Sequence, residues 1–322
     1  MAVLEVEDLR TSFFVKRGEL QALQGVSFSV ERGQTLAIVG ESGCGKSLTA
    51  LSMMRLVPEP PGRIVGGSVR VGGIDLLKLP ARDMERIRGD RIAMIFQEPM
   101  TSLNPVMTVG DQIAETLLLH RGLGAAAARA RTLELLDLVR ISDPASRIDE
   151  YPHRLSGGMR QRVMIAMALA LEPEVLIADE PTTALDVTIQ AQILDLLQAM
   201  QRQLGIALVL ITHDLGVVAR MADRVLVMYS GRSIEEADSA AFFAAPRHPY
   251  TLGLFGSMPG PGRRKSRLKE IPGMVPPLHT RQSGCAFAPR CEFVIDRCRS
   301  DTPALVEREG GHSVACHVVA AA

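Results

Sequence analysis

Residues 40–47 read Gly-Glu-Ser-Gly-Cys-Gly-Lys-Ser and constrain the fold of this chain more than any other stretch. They match the phosphate-binding loop pattern G-x-x-x-x-G-K-[ST]. An apolar, β-like run at residues 35–39 precedes them and a helix-prone run at residues 47–56 follows, which is the order that the motif requires. The glycines let backbone N–H groups turn toward an anion, and the pattern assigns Lys46 to the outer phosphates and Ser47 to Mg²⁺. An ordinary glycine turn before a helix is the alternative interpretation.

A second apolar run, at residues 175–178, ends in the two acids Asp179 and Glu180. A strand buried on both faces would bring Asp179 to the carboxyl edge of a parallel sheet, where it can hold Mg²⁺ through water. Glu180 would then lie where it can polarise an attacking water molecule. This pattern is weak alone and strong in a chain that also carries a phosphate loop, so it predicts nucleotide hydrolysis.

The rest of the sequence predicts how this α/β core is built and interrupted. Short β-like runs separated by turns occupy residues 3–39, and Ala, Leu and Arg at helical spacing dominate residues 101–172. Another continuous apolar run lies at residues 206–211 and predicts a buried parallel strand. We therefore predict an α/β phosphate-loop NTPase (RecA-like) core with an antiparallel edge sheet and an inserted helical subdomain at about residues 98–172.

Four of the five cysteines lie in a C-terminal segment, after a stretch at residues 259–277 that is rich in Pro, Gly and basic residues. They are Cys285, Cys291, Cys298 and Cys316. The change in composition predicts a nucleotide-binding domain over residues 1–258 and a small Cys-rich module over residues 259–322. In a reducing compartment, such a cluster indicates metal binding before disulfides. The spacing differs from the C-x₂-C pattern usual for structural zinc, and a mixed ligand set with His279, His312 or His317 stays open.

Charge and hydropathy exclude several other classes of protein. The 36 basic residues balance the 36 acidic residues, and tryptophan is absent, so neither electrostatics nor aromatic stacking favours nucleic-acid binding. The start, MAVLEVEDLR, lacks the basic and apolar regions of a secretory signal, and no apolar run reaches the roughly 18 residues of a transmembrane helix. We expect a cytosolic protein that meets a membrane only through partners.

The stretch Leu155-Ser156-Gly157-Gly158-Met159 distinguishes among phosphate-loop families. It resembles the LSGGQ signature of ABC ATPases, with Met159 where Gln is usual. A serine and two glycines before a helix form a second anion-accepting N-terminus. The resemblance assigns this stretch to the ATP held by a partner subunit, so that two chains enclose two nucleotides head to tail.

The other elements of an ABC ATPase follow in the order of the family. The resemblance assigns Gln97 to the Q loop, Ala184-Leu185-Asp186 to the D loop that crosses the dimer interface, and His213 to the γ-phosphate. Phe13 takes the position that stacks on adenine, Phe14 is its rival, and an ordinary core phenylalanine is the alternative to both. Catalysis is expected from Lys46, Glu180 and His213, and Mg²⁺ binding from Ser47, Gln97 and Asp179. The expected ATP-binding residues are Phe13, Gly40, Glu41, Ser42, Gly43, Cys44, Gly45, Lys46, Ser47, Leu48 and Gln97.

Within the ABC family, several stretches resemble the ATPases of dipeptide, oligopeptide and nickel importers. They are residues 96–105, 155–162 and 248–251, and the Cys-containing pattern at residues 284–316; the likeness excludes only the basic stretch at residues 263–267. The resemblance implies ATP-driven import of peptides at the cytoplasmic face of the cell membrane. It also implies a heterodimer with a second, related ABC ATPase, two permease subunits, an extracytoplasmic peptide-binding protein, and a [4Fe–4S] cluster on the four cysteines, with Zn²⁺ or no metal as alternatives.

Three other functions compete with peptide import. A related nickel or glutathione importer would use the same ATPase, because cargo is selected by other subunits. A soluble ABC ATPase acting on ribosomes or DNA would carry two cassettes or long insertions, which this sequence lacks. A redox sensor with a degenerate ATPase is disfavoured because the expected catalytic and Mg²⁺-binding residues are intact, namely Lys46, Asp179, Glu180 and His213.

Overall fold

The computed structural model describes residues 2–98, 102–183, 185–257, 270–280 and 283–319. Of the predicted motifs, residues 99–101, Ala184 and the basic stretch at 263–267 lie outside these ranges. The chain forms two compact units that alternate along the sequence. Unit 1 contains Met1–Glu5, Ser29–Thr35 and Ser68–Ile211, and unit 2 contains Val6–Phe28, Leu36–Gly67 and Thr212–Ala322.

The described residues contain both strands and helices, as expected of an α/β protein. The strands are β1 (Ala2–Val15), β2 (Gly18–Glu31), β3 (Thr35–Val39), β4 (Gly62–Val71), β5 (Ile74–Asp75), β6 (Ile92–Ile95), β7 (Val175–Asp179), β8 (Ala207–Thr212), β9 (Arg224–Tyr229), β10 (Arg232–Asp238), β11 (Val306–Glu307) and β12 (Ser313–Val314). The α-helices are α1 (Lys46–Met53), α2 (Ala81–Ile87), α3 (Val109–Arg121), α4 (Ala125–Leu138), α5 (Pro144–Arg147), α6 (Gly157–Leu169), α7 (Val187–Leu204), α8 (Leu215–Met221), α9 (Ser239–Ala244), α10 (Pro249–Gly256) and α11 (Asp296–Ser300).

The N-terminal strands form the antiparallel edge sheet that the sequence predicts. Strands β1 and β2 are joined by a turn of two residues, and the strand order of this sheet is β2–β1–β4–β5. Strand β5 returns against β4 with Val71 opposite Ile74. Valine is frequent in these strands because its branched side chain packs well on a pleated surface.

The core of unit 1 is a set of buried parallel strands. Strand β7 pairs with β6 on one side and with β8 on the other, both in parallel. Every residue of β7 is buried, which explains the continuous apolar run and the absence of alternation in the sequence. Helices α3 to α6 lie between β6 and β7 in the chain, so the predicted helical insertion is confirmed.

Unit 2 contains a sheet to which the C-terminal segment contributes strands. Strand β3 pairs in parallel with β9, β10 runs antiparallel to β9, and β12 runs antiparallel to β10 with Val314 opposite Glu235. Phe287 and Ala315 are buried in the same hydrophobic core as Val39. The boundary at residues 258 and 259 stays a prediction, but residues on both sides of it share one core, so the segment has more apolar packing than its composition suggests.

A buried carboxylate ties this segment to β10. Glu235 is fully buried and accepts hydrogen bonds from the backbone N–H groups of Arg247, at 2.7 Å, and His248, at 2.9 Å. The ring Nε2 of His312 lies 2.7 Å from its Oε1 atom. A buried carboxylate is stable only when such partners satisfy it. His248 is itself buried, which lowers its pKa to about 4, so its neutral ring can accept the N–H of Tyr250 through Nδ1 at 3.0 Å.

Candidate nucleotide-binding and catalytic sites

The phosphate loop of unit 2 connects β3 to the N-terminus of α1. Lys46 is buried, and its Nζ donates to the carbonyl oxygens of Gly40, at 2.7 Å, and Glu41, at 3.1 Å. Ser47 and Leu48 follow in the first turn of α1. The ammonium group of Lys46 therefore lies within the loop that the sequence predicts to bind phosphate.

Two glycines in this loop are required by its geometry. Gly40 has a φ of 156°, and a Cβ atom there would lie 2.4 Å from the carbonyl oxygen of Met228 and 2.7 Å from Cys44 Sγ. Gly45 caps α1 with a φ of 108°, in the region that side chains disfavour. Burial raises the pKa of the Cys44 thiol, so this cysteine stays a neutral packing group.

The predicted hydrolytic residues of unit 1 lie together at the carboxyl end of β7. Asp179 ends the strand and is buried, and the backbone N–H of Glu180 donates to the carbonyl oxygen of Ile211 at 2.9 Å. The Oε2 atom of Glu180 accepts from Gln97 Nε2 at 3.1 Å and from the hydroxyl of Thr183 at 2.8 Å. The carboxylate is therefore oriented by two neutral donors.

Thr183 is a site residue that the sequence interpretation missed. Its hydroxyl reaches the Glu180 carboxylate because the chain turns after β7, and the N–H of Thr183 donates to the Glu180 carbonyl at 3.1 Å. A threonine three residues after an acid is a known local hydrogen-bonding pattern, so the spacing in the sequence could have indicated this contact.

The signature stretch begins helix α6. Leu155 is buried, whereas Ser156 is exposed and caps the helix by accepting the N–H of Met159 at 3.3 Å. A Cβ atom on Gly158 would lie 2.8 Å from the side chain of Ile189, so glycine permits the close approach of α6 to α7. The exposed N-terminus of this 13-residue helix has the polarity that favours an anion.

Two further predicted residues lie at the ends of strands and helices. Asp186 is exposed and caps α7 by accepting the N–H of Ile189 at 2.9 Å, so it has a structural role within its own chain. His213 is exposed directly after β8.

The two candidate adenine-stacking rings differ in exposure. The Phe13 ring is partly buried near Gly62. The Phe14 side chain is 46% exposed, and the Arg63 guanidinium lies 5.5 Å from the centroid of its ring. Which of the two rings stacks on adenine stays a prediction.

The four C-terminal cysteines are neighbours but do not form a metal site in this structure. All four are thiols, and the N–H of Cys285 donates to the carbonyl oxygen of Cys298 at 2.8 Å. Burial raises the pKa of Cys285 and of Cys291, and electrostatic repulsion from the neighbouring cysteines raises both pKa values further. Within the described residues, no three Cys, His, Asp or Glu side chains are arranged to share a metal ion, so the predicted metal centre is not confirmed.

The predicted histidine ligands have other partners. His312 contacts Glu235, and Nε2 of His317 lies 3.0 Å from the carbonyl oxygen of Asp301. Hydrogen bonding from the backbone of Phe287 and Ala288 at Cys285, and of Phe293 at Cys291, opposes the rise in pKa of these two thiols. Burial outweighs these hydrogen bonds, so both side chains favour the neutral thiol over the thiolate, which is the form that binds metals.

A phosphate loop, a strand that ends in Asp-Glu and a second anion-accepting helix start in one chain define an ATP-binding cassette ATPase. Two family models match: "ABC transporter" at residues 23–183, and "Oligopeptide/dipeptide transporter, C-terminal region" at residues 234–298. The chain belongs to the ABC transporter family and is one of its ATP-hydrolysing subunits.

Relatives match this chain over nearly its full length. The probable peptide ABC transporter ATP-binding protein y4tR of Sinorhizobium fredii is 56% identical, with 98% of this chain and 94% of that protein covered. The dipeptide transport ATP-binding protein DppD of Escherichia coli is 48% identical, with 98% and 97% covered. The oligopeptide transport ATP-binding protein AppD of Bacillus subtilis is 49% identical, with 98% and 96% covered.

Solved structures confirm the fold. The ATP-binding cassette MJ0796, in a dimeric post-hydrolysis state bound to ADP and Pi, is 28% identical with a TM-score of 0.66, and the match covers 73% of this chain and 98% of that one. No helix in the described ranges combines the length and apolar character needed to cross a bilayer.

Proposed function

We propose that this chain powers the import of peptides across the cytoplasmic membrane, as the ATP-hydrolysing subunit of a transporter attached to the membrane by its permeases. The observation that carries this proposal is the likeness over 98% of the chain to proteins named for peptide, dipeptide and oligopeptide transport. The C-terminal region is part of that likeness, because residues 234–298 match the family model of the C-terminal region of oligopeptide and dipeptide transporters.

The roles that we propose for the site residues follow from their chemistry. The phosphate loop and Lys46 bind the phosphates of ATP, and Glu180 orients the attacking water through the carboxylate that Gln97 and Thr183 hold. Ser47, Gln97 and Asp179 offer a hydroxyl, an amide and a carboxylate oxygen, which suit Mg²⁺. When bound, the ion would neutralise charge on the phosphates. His213 contacts the γ-phosphate.

We further propose that Ser156, Gly157 and Gly158 cap the ATP held by a second, related ATPase, with Leu155, Met159 and Asp186 beside them at the dimer interface. The exposure of Ser156 and Gly157 at the start of α6 supports this, because these donors are open to a partner. Two permeases and an extracytoplasmic peptide-binding protein would complete the transporter. ATP-driven closure of the cassette pair would then move the permeases between two states.

Uptake by the purified transporter tests the cargo. We expect proteoliposomes with this chain, its co-purifying ATPase, permeases and binding protein to accumulate a labelled di- or oligopeptide when ATP is present on the cassette side. A non-hydrolysable ATP analogue is the control and should give no uptake. Accumulation of Ni²⁺ or glutathione without peptide would assign one of the alternative cargoes. Hydrolysis stimulated by ribosomes or DNA instead of by this assembly would contradict transport.

We also propose that Cys285, Cys291, Cys298 and Cys316 hold a metal centre, either a [4Fe–4S] cluster or Zn²⁺, that stabilises the C-terminal segment. The support is that these cysteines lie close together: neighbouring cysteines raise the pKa of Cys285 and of Cys291 electrostatically, and the N–H of Cys285 donates to the carbonyl oxygen of Cys298 at 2.8 Å. Metal sites commonly stabilise small segments of this kind.

Metal analysis of the protein purified without oxygen tests that centre. We expect iron and acid-labile sulfide in the wild-type protein, and their loss in Cys298→Ser together with faster proteolysis after residue 270. Cys44→Ser, which changes the one cysteine outside the cluster, should keep the metal. Stoichiometric zinc would replace the cluster in the proposal. A metal-free segment that resists protease would contradict the proposal in both forms.

A further inference from the structure

Arg290 connects the cysteine segment, which we define as the described residues 283–319, to the phosphate loop. It lies one residue before Cys291, and its side chain is only 4% exposed. Its guanidinium binds the carboxylate of Glu41 through two bonds: Nη1 to Oε2 at 2.6 Å and Nη2 to Oε1 at 3.0 Å. Glu41 is the second residue of the phosphate loop, 249 residues earlier in the sequence. A two-bond pair of this kind fixes both the distance and the orientation of its partners.

The guanidinium of Arg290 also donates hydrogen bonds to backbone carbonyl groups and lies next to a tyrosine hydroxyl. Its Nε donates to the carbonyl oxygen of Pro272 at 2.8 Å, and Nη2 donates to that of Gly273 at 3.2 Å. The phenol oxygen of Tyr229 lies 3.3 Å from Nη1. Hydrogen bonding to Glu41 raises the pKa of Arg290, so the group is always charged. Because it is buried, the charge needs Glu41 as its partner.

The backbone of Glu41 is in turn hydrogen-bonded to two other side chains, one of which is Lys46 of the same loop. Its backbone N–H donates to the phenol oxygen of Tyr250 at 2.7 Å, and its carbonyl oxygen accepts from Lys46 Nζ at 3.1 Å. The Tyr250 ring packs against Phe287, with ring centroids 5.5 Å apart. All three polar groups of Glu41 therefore have partners. The side chain binds Arg290, the N–H binds Tyr250, and the carbonyl oxygen binds Lys46, the residue predicted to contact the phosphates.

We propose that Arg290 is a positioning residue for nucleotide binding: by holding Glu41, it sets the conformation of the phosphate loop, and the order of the cysteine segment thereby controls the affinity for ATP. This inference rests on the proposed binding of ATP by the loop. Arg290 touches no nucleotide in this scheme, because its guanidinium is already occupied by Glu41 and backbone carbonyls. Arg290 acts on the conformation of the loop, so its replacement should change the affinity for ATP rather than the rate of the chemical step.

Equilibrium binding of ATP to the full chain tests this role. We expect Arg290→Gln to weaken ATP binding by about tenfold or more, since small displacements of binding groups have effects of that size. In the assembled transporter, KM for ATP should rise by a similar factor while kcat stays within about twofold. Arg297→Gln is the matched control, because Arg297 lies in the same segment and pairs with the exposed Asp301, 2.9 Å away, outside the loop. It should leave the affinity unchanged.

A double-mutant cycle separates the pair from a general loss of folding. Glu41→Gln alone should also weaken binding, and the double variant Arg290→Gln, Glu41→Gln should lose much less than the sum of the two single effects, because each removes the same interaction. Arg290→Lys, which keeps the charge and one bond, should bind with intermediate affinity even if Arg290→Gln is unstable. Wild-type affinity in Arg290→Gln, or additive losses in the double variant, would overturn the proposal. Failure of the wild-type chain to bind ATP would instead overturn the proposed function.

Discussion

Replacing Glu180 by glutamine should leave ATP binding intact and reduce steady-state hydrolysis by roughly a hundredfold or more. In the native site, Gln97 and Thr183 both donate to the Oε2 atom of Glu180. An amide oxygen can still accept these two bonds, so the local structure should persist. The substitution removes the negative charge and the second acceptor that we propose to orient the water, so we expect it to act on the chemical step rather than on folding.

The measurement is ATP turnover by the assembled transporter, together with the ATP retained after rapid removal of free nucleotide. Because the proposed partner ATPase would supply a site of its own, its corresponding acid should be replaced in the same experiment. Glu134→Gln is the control, since Glu134 is an exposed residue of unit 1 whose partner is Arg131, 2.7 Å away. Wild-type turnover by the Glu180→Gln assembly, with little ATP retained, would show that another group positions the water.

The parts of the site that the sequence predicted are those with a local cause. The phosphate loop needs glycines at fixed steps, and Gly40 and Gly45 have the backbone angles that explain them. The apolar run at residues 175–178 is continuous because β7 is buried between two parallel strands. Ser156 is a helix cap, and its preference for that position can be read from neighbouring residues alone.

The parts that the sequence did not predict depend on contacts between distant residues. Nothing near Arg290 in the sequence indicates that its partner is Glu41, because their contact follows from the packing of unit 2. The change in composition after residue 258 predicts a separate small C-terminal module, and its four cysteines predict a metal centre. In the structure, Phe287 and Ala315 pack into the same core as Tyr229, and β12 pairs with β10. Composition cannot indicate such shared burial.

Replacing Lys46 by alanine should lower the affinity of the isolated chain for ATP by roughly a hundredfold, whereas Ser156→Ala should leave that affinity unchanged. Lys46 carries the ammonium held inside the chain's own phosphate loop, and alanine removes the charge that would contact the phosphates. Ser156 is proposed to serve the ATP of the partner, so its loss should reduce hydrolysis only when two cassettes close. Nucleotide titration of the monomer and turnover by the assembled transporter measure the two effects.

Ser156 also caps its own helix, and a matched cap separates that structural role from contact with the partner's ATP. Thr108 accepts the N–H of Asp111 at 3.1 Å at the start of α3, so Thr108→Ala removes the same kind of bond elsewhere in unit 1. Each alanine substitution should cost about 1 kcal/mol of stability. Only Ser156→Ala should then slow hydrolysis by the closed pair. If Thr108→Ala slows it equally, the signature acts through the stability of the helix. If Ser156→Ala instead weakens ATP binding by the monomer as much as Lys46→Ala does, both residues serve the same nucleotide, and the head-to-tail arrangement is wrong.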